Sequence, residues 1–120
     1  MSELSRNLRS RVLETLALIA SEDSQREYQK AVPHVDVPAE LFNQWGDVYF
    51  PDGDAFQSGF SAKELEILGR FDKFLNQVCD GTPQQLPPLE EFVQTVAWRT
   101  LAAAAYEALS DLTSPHEPPA

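Results

Sequence analysis

Few residues of this sequence have the types and the spacing that catalysis or metal binding requires. The two histidines, His34 and His116, are far apart along the chain, and each directly follows a proline. Catalysis at neutral pH often uses a histidine, but a loop or a proline-rich stretch is a poor place to hold one in position. An Asp-Gly-Asp sequence at 52–54 resembles the start of a calcium loop, but the fifth position of that loop would be Phe56 and the twelfth a lysine. Turn formation explains these acids better, and the sequence predicts no metal site.

The single cysteine and the adjacent glutamates do not indicate catalysis either. Cys79 is predicted near the carboxyl end of a helix, where a thiolate is not stabilised, and we expect it to be a small buried apolar residue. Glu90 and Glu91 could act as paired carboxylates, but they fall at a predicted helix start, where acids are stabilising in any case. The chain also lacks a glycine-rich phosphate loop. We therefore predict a non-enzymatic protein without a cofactor.

One segment combines a high density of acids with a high density of aromatic residues. Residues 31–62 contain no lysine and no arginine. Their acids are Asp36, Glu40, Asp47, Asp52 and Asp54, and their aromatic residues are Phe42, Trp45, Tyr49, Phe50, Phe56 and Phe60. Aromatic rings commonly anchor protein–protein contacts, and acids steer a basic partner toward a surface. The segment is therefore a candidate protein-binding surface.

The same aromatic residues could instead belong to the core, with the acids as a solvated rim. We expect three rings to lie in the core, those of Phe42, Trp45 and Phe60. For Tyr49, Phe50 and Phe56, which lie near the predicted turn, both interpretations stay open. The predicted partner-binding residues are the five acids, Asp36, Glu40, Asp47, Asp52 and Asp54, together with Tyr49, Phe50 and Phe56. Asp47, Asp52 and Asp54 are expected to be exposed under either interpretation.

Charge and composition restrict the classes of partner. The 120 residues include 19 acids and 9 bases, a formal net charge of −10 at pH 7. Such a charge repels DNA, RNA and anionic membranes, and it favours a basic partner protein and a monomer over a homo-oligomer. A single cysteine excludes an intrachain disulfide, which fits a reducing compartment. With no signal-peptide pattern and no stretch approaching ~20 apolar residues, a cytoplasmic location is expected.

Hydrophobic periodicity predicts helices along most of the chain. The first amphipathic stripe consists of Leu4, Leu8, Val12, Leu16 and Ile19, and we expect Arg9, which lies off this stripe, to face water. Ser21 is a candidate helix cap, and Asp36 or Val37 lies just outside the helix that Pro38 begins. Ser61 and Glu64 have the spacing of a capping box. A change of helical phase predicts a bend or break near Thr95. The predicted fold is all-α, an irregular bundle of four to six helices forming one domain over 1–112, with a flexible proline-rich tail at 113–120.

Two stretches, VPAELFNQWGDVYFPD at 37–52 and FQSGFSAKEL at 56–65, carry a resemblance to a group of known proteins. Together with LPPLEEF at 86–92 and AWRTL at 97–101, they resemble small acidic bacterial immunity proteins of contact-dependent or secreted polymorphic toxin systems. The resemblance covers roughly residues 28–112. It implies a protein that binds a cognate toxin and occludes its active site. Many toxin domains are basic because they attack nucleic acid, so the acids of such an antagonist would replace the substrate phosphates.

Other functions are compatible with the same sequence. A phage-type inhibitor or regulatory adaptor of a nucleic-acid-binding protein would also be acidic and helical. A small-ligand-binding domain or an enzyme would need a closed apolar pocket, for which the region around Trp45 and Trp98 is the candidate. A subunit of a helical homo-oligomer could use the alanine-rich face of the final helix.

Overall fold

The computed structural model describes residues 2–81 and 88–113, the last of these by its backbone alone. The helices in these ranges are α1 (Glu3–Ala20), α2 (Glu22–Ala31), α3 (Val37–Val48), α4 (Asp54–Ser58), α5 (Ala62–Gly81), α6 (Leu89–Phe92) and α7 (Val96–Thr113). The described residues contain no strand, which confirms the all-α prediction. Their seven helices exceed the predicted four to six because α4 and α6 are separate pieces of only 5 and 4 residues. Residue 113, assigned to the tail, ends α7, and 114–120 lie outside the described residues.

The caps of α2 and α3 are among the residues that the sequence indicated, Ser21 for α2 and, of Asp36 and Val37, Asp36 for α3. The Ser21 hydroxyl accepts the Ser24 N–H at 3.1 Å, so α2 starts as a new helix directly after α1. The Asp36 carboxylate accepts the Ala39 N–H at 3.3 Å at the start of α3. Each cap satisfies a backbone donor that the first turn of a helix leaves without a partner.

The starts of α5 and α7 also confirm local predictions. In the capping box of α5, the Glu64 N–H donates to the Ser61 hydroxyl at 3.1 Å, and the Ser61 N–H donates to the Glu64 carboxylate at 2.8 Å. The Thr95 hydroxyl accepts the Trp98 N–H at 3.2 Å. The chain therefore breaks near Thr95, and α6 and α7 are two helices.

The four long helices, α1, α3, α5 and α7, alternate in direction. At one end of the bundle, here called the lower end, Arg9 of α1 contacts both Glu64 at the start of α5 and the Leu112 carbonyl at the end of α7. At the upper end, Trp98 near the start of α7 contacts Gln25 of α2. α7 packs against α1 and α5, and α1 also packs against α3. No helix in the described ranges has the length and apolar content needed to cross a bilayer.

Two aromatic clusters form much of the core around α3. The upper cluster consists of Phe42, Phe92 and Trp98, and the lower cluster consists of Trp45, Tyr49, Phe56, Phe60 and Phe71. Trp45 is 1% exposed, and its ring centroid lies 4.8 Å from that of Phe71 on α5. These contacts fix which side of α3 faces inward, and they thereby direct its opposite side to solvent.

Arg9 lies inside the lower end of the bundle, so the expectation that it faces water is wrong. Its guanidinium donates to both carboxylate oxygens of Glu64, at 3.0 and 2.9 Å. It also donates to the carbonyls of Gly59 and Leu112, at 3.1 and 3.2 Å, and lies 5.2 Å from the Phe60 ring centroid. One side chain thus joins three helices and the loop before α5. Hydrophobic periodicity could not reveal this because the partners are distant in sequence.

Gln25 performs a similar role at the upper end. Its side chain is fully buried and donates to the carbonyls of Leu18 and Ile19 at the end of α1, at 3.0 and 2.9 Å. Its side-chain oxygen accepts the Trp98 indole N–H at 3.1 Å. These bonds satisfy buried polar groups that would otherwise destabilise the fold.

Candidate functional site

The solvent face of α3 carries three of the five predicted acids. Successive residues of an α-helix are ~100° apart, so Glu40 lies about 40° and Asp47 about 20° from Asp36 around the axis. Asp36 and Asp47 are exposed, and Glu40 is half-buried. The stripe is about 16 Å long at ~1.5 Å per residue. The three acids therefore lie along one edge of α3 that ends at the lower end of the bundle.

The carboxyl end of α3 is electrostatically unfavourable for its own acids. Helix carbonyls place a partial negative charge at this end, where basic side chains are normally stabilising. The last turn of α3 contains no base, and Asp47 lies in it. Asp52 follows five residues after Asp47, in the next turn. The helix end and these carboxylates therefore reinforce one another as a negative region, at a cost in local stability that burial of α3 must offset.

A hydrogen-bonded turn connects α3 to α4. The Gly53 N–H donates to the Phe50 carbonyl at 3.0 Å, and the Gln57 side chain donates to the Pro51 carbonyl at 2.7 Å. The Ser5 hydroxyl holds the Ala55 carbonyl at 2.7 Å and joins α4 to α1. The backbone that presents residues 50–54 is consequently fixed by hydrogen bonds on both sides.

Of the aromatic residues left open by the sequence, only Phe50 lies mainly at the surface. Its side chain is 45% exposed, whereas Phe56 is 1% exposed and contacts Tyr49 and Phe60 in the lower cluster. The assignment of Phe56 to the binding surface is therefore wrong, because its ring is enclosed by the core. The expectation of buried rings at Trp45 and Phe60 is confirmed, and Phe42 is partly buried against the core.

Tyr49 is half-buried and connects the turn to the core. Its ring stacks on Trp45, with centroids 5.1 Å apart and an interplanar angle of 17°. Burial, followed by the negative charges of Asp72 and Asp52, raises the pKa of the Tyr49 phenol above its ordinary value of 10.0. The hydroxyl therefore stays protonated at neutral pH, and Asp52 lies close enough to influence it.

Asp72 is a nearby acid that the sequence reasoning did not include. It belongs to α5, and its carboxylate accepts the Trp45 indole N–H at 2.9 Å. Only the packing of α3 against α5 brings it beside the basic-free segment, so no pattern within 31–62 could have indicated it.

We call the following six residues the acidic surface: Asp36, Glu40, Asp47, Phe50, Asp52 and Asp54. Asp52 and Asp54 are both exposed, as predicted.

The structure also places the cysteine and the first of the two adjacent glutamates that the sequence singled out. Cys79 is exposed, so the expectation that it is buried is wrong. Glu90 pairs with Arg26 at 2.9 Å, which lowers the pKa of the Glu90 carboxyl. No group of three or more potential metal-ligating side chains occurs within residues 2–81 and 88–112. The acidic surface is thus the candidate functional site of the described chain.

Comparisons with protein-family models, with curated proteins and with solved structures returned no match. The functional argument therefore rests on the geometry and the charge of the acidic surface.

Proposed function

We propose that this chain is a non-enzymatic binding protein that neutralises a basic toxin, acting in the bacterial cytoplasm as an immunity protein. The observation that carries the proposal is the exposed Phe50 ring, which lies on a hydrogen-bonded turn where the α3 acid stripe ends. An exposed apolar ring next to carboxylates is an arrangement suited to a cationic protein surface.

The acids of the acidic surface would act mainly on the rate of association. Residues 31–62 carry five acids and no lysine or arginine, so a basic partner meets a mainly negative field over this segment. Electrostatic steering can raise association rates by roughly 10- to 1,000-fold, and it weakens as salt shortens the Debye length. The expected complex therefore forms fast at low salt and more slowly at high salt.

Phe50 would act mainly on the lifetime of the complex. Because hydrogen bonds already fix its turn, little conformational freedom is lost when the ring enters a pocket of the partner. A lysine or arginine of the partner can also lie over the ring face, in the way that Arg9 lies over Phe60 within this protein. Removing the ring should therefore accelerate dissociation and change the association rate little.

A toxin that cleaves nucleic acid is the partner that fits this surface best. Its active site must attract phosphates, and carboxylates spaced along about 16 Å of α3 and the following turn can occupy the same basic groove. Inhibition would follow from occlusion, without chemistry by this chain. An inhibitor or adaptor of another nucleic-acid-binding protein would use the same surface, so the identity of the partner distinguishes the two functions.

The test uses the product of the gene adjacent to the one that encodes this chain. We expect its expression to arrest growth, and co-expression of this chain to restore it. With the two purified proteins, biolayer interferometry at increasing NaCl should show one-to-one binding whose association rate falls with salt. A neighbour that is harmless alone and does not bind this chain would contradict the proposal.

Charge-matched variants test whether the salt-dependent association rate depends on the acidic surface. Neutralising Asp47, Asp52 and Asp54 together to Asn should slow association by at least about tenfold at low salt. The control variant Glu14→Gln, Glu66→Gln, Asp80→Asn removes the same charge from exposed positions outside the surface. Equal slowing by both variants would show that only net charge matters. In Phe50→Ala the dissociation rate should rise while the salt dependence stays unchanged.

A further inference from the structure

An apolar groove lies between α5 and α7, on a different pair of helices from the acidic surface. Its cavity has a volume of about 260 Å³ and is lined by Phe71 and Phe74 of α5 and by Ala104 and Ala108 of α7, among others. The groove exists because the two alanines, one helical turn apart, present only methyl groups opposite two large rings. A larger residue at either alanine would fill it.

Charges of opposite sign lie on the two walls of this groove. Arg70 is on the α5 wall, and Glu107 and Asp111, four residues apart on one face, are on the α7 wall. None of the three forms an ion pair with another described residue. The groove therefore keeps a cation and two anions apart across an apolar floor.

The size of the groove limits what can occupy it. A volume of about 260 Å³ is slightly below the ~300–1,000 Å³ of typical small-molecule pockets. A helix bound in a groove is held by several anchor side chains at spacings of i, i+3, i+4 and i+7. The volume fits one amino-acid-sized molecule with a single apolar group.

We propose that this groove binds an amphipathic zwitterion of amino-acid size. Its carboxylate would pair with the Arg70 guanidinium, its ammonium group with Glu107 and Asp111, and its aromatic or branched apolar group would lie on Phe71 and Phe74. The ligand would supply a partner for the charges on both walls, none of which forms an ion pair with another described residue. This site is independent of the acidic surface and of the proposed toxin binding.

Three compounds with the same phenyl ring test the charge requirement. Phenylalanine carries both charges, 2-phenylethylamine only the ammonium group, and 3-phenylpropionate only the carboxylate. In ¹⁵N–¹H correlation spectra of the whole chain, phenylalanine should shift the amides of residues 67–74 and 104–111 saturably. Each single-charge analogue should bind about five- to tenfold more weakly.

Variants connect this discrimination to the named side chains. Arg70→Gln should reduce phenylalanine binding to the level of 2-phenylethylamine, and Glu107→Gln should bring it closer to that of 3-phenylpropionate. Ala104→Leu should abolish all binding, and Glu66→Gln, an exposed position on the same helix as Arg70, should leave it unchanged. Urea denaturation verifies that each variant is folded.

Several results would overturn the proposal. Equal affinity for the three compounds would mean that the groove recognises apolar surface alone. The absence of saturable shifts at residues 67–74 and 104–111 would mean that it binds no such ligand. Shifts of these amides that depend on protein concentration without ligand would identify a second copy of the chain as the occupant.

Discussion

Replacement of Arg9 by methionine tests whether one internal cation holds the lower end of the bundle together. Methionine keeps an apolar stem to pack on Phe60 but removes four hydrogen bonds, two to Glu64 and one each to the carbonyls of Gly59 and Leu112. The Glu64 carboxylate, whose side chain is 8% exposed, would lose the cation that pairs with it at 2.9 Å.

The expected loss follows from burial. Removing one partner of a buried ion pair costs about 3–5 kcal/mol, because the other charge stays buried without compensation. The Arg9 side chain is 24% exposed and the Ser61 N–H still donates to Glu64 at 2.8 Å, so we expect about 2–4 kcal/mol. For a domain whose unfolding free energy is ~5–15 kcal/mol, this is a large fraction.

Urea denaturation followed by far-ultraviolet circular dichroism measures this loss. The matched control is Arg11→Met, an exposed position on the same helix, for which a change within about 0.5 kcal/mol is expected. A double-mutant cycle adds Glu64→Gln, which removes the carboxylate charge that pairs with Arg9. The loss of unfolding free energy in the double variant should be smaller than the sum of the two single losses by at least about 1 kcal/mol. A loss for Arg9→Met similar to that for Arg11→Met, with no coupling, would refute the reasoning.

Three further outcomes follow from the same structure. Burial alone would raise the pKa of the Glu64 carboxyl, but the hydrogen bonds and charge of Arg9, together with the capping bond, lower it below its ordinary value of 4.5. The stabilising contribution of the Glu64 carboxylate is therefore complete above pH 4.5 and is lost as the pH falls further. Arg9→Met should weaken this dependence of the unfolding free energy on pH, which urea titrations at a series of pH values measure. Gly59→Ala would place a Cβ 2.9 Å from a backbone carbonyl of α1 and should cost about 1–3 kcal/mol, whereas Gly46→Ala, with nothing within 4 Å, should raise stability by about 0.5–1 kcal/mol. Thermal unfolding compares the two variants, and equal effects would contradict the close approach at Gly59. Asp47→Lys should raise stability by about 0.3–1 kcal/mol by relieving the end of α3, while slowing association with the partner. A variant that unfolds at lower temperature would show that the helix end does not oppose Asp47.

The candidate site was predictable in its charges but not in its rings. Asp47, Asp52 and Asp54 are exposed as expected because a carboxylate without a partner is costly to bury. Phe50 and Phe56 have the same side chain and lie on either side of the same turn, yet one is exposed and the other is in the core. Which ring is buried depends on how the turn and α4 dock on α1, where the Ser5 hydroxyl holds the Ala55 carbonyl.

Helix boundaries depend on hydrogen bonds between residues three or four positions apart. The sequence alone therefore indicated Ser21 and Ser61 as helix caps, Asp36 or Val37 as the residue before α3, and a bend or break near Thr95. Only the tertiary structure decided that Arg9 is internal, that Cys79 is exposed, and that Asp72 of α5 meets Trp45 of α3. These outcomes depend on contacts between segments far apart in the chain. Side-chain type limits such contacts, but only the packing of whole helices selects among them.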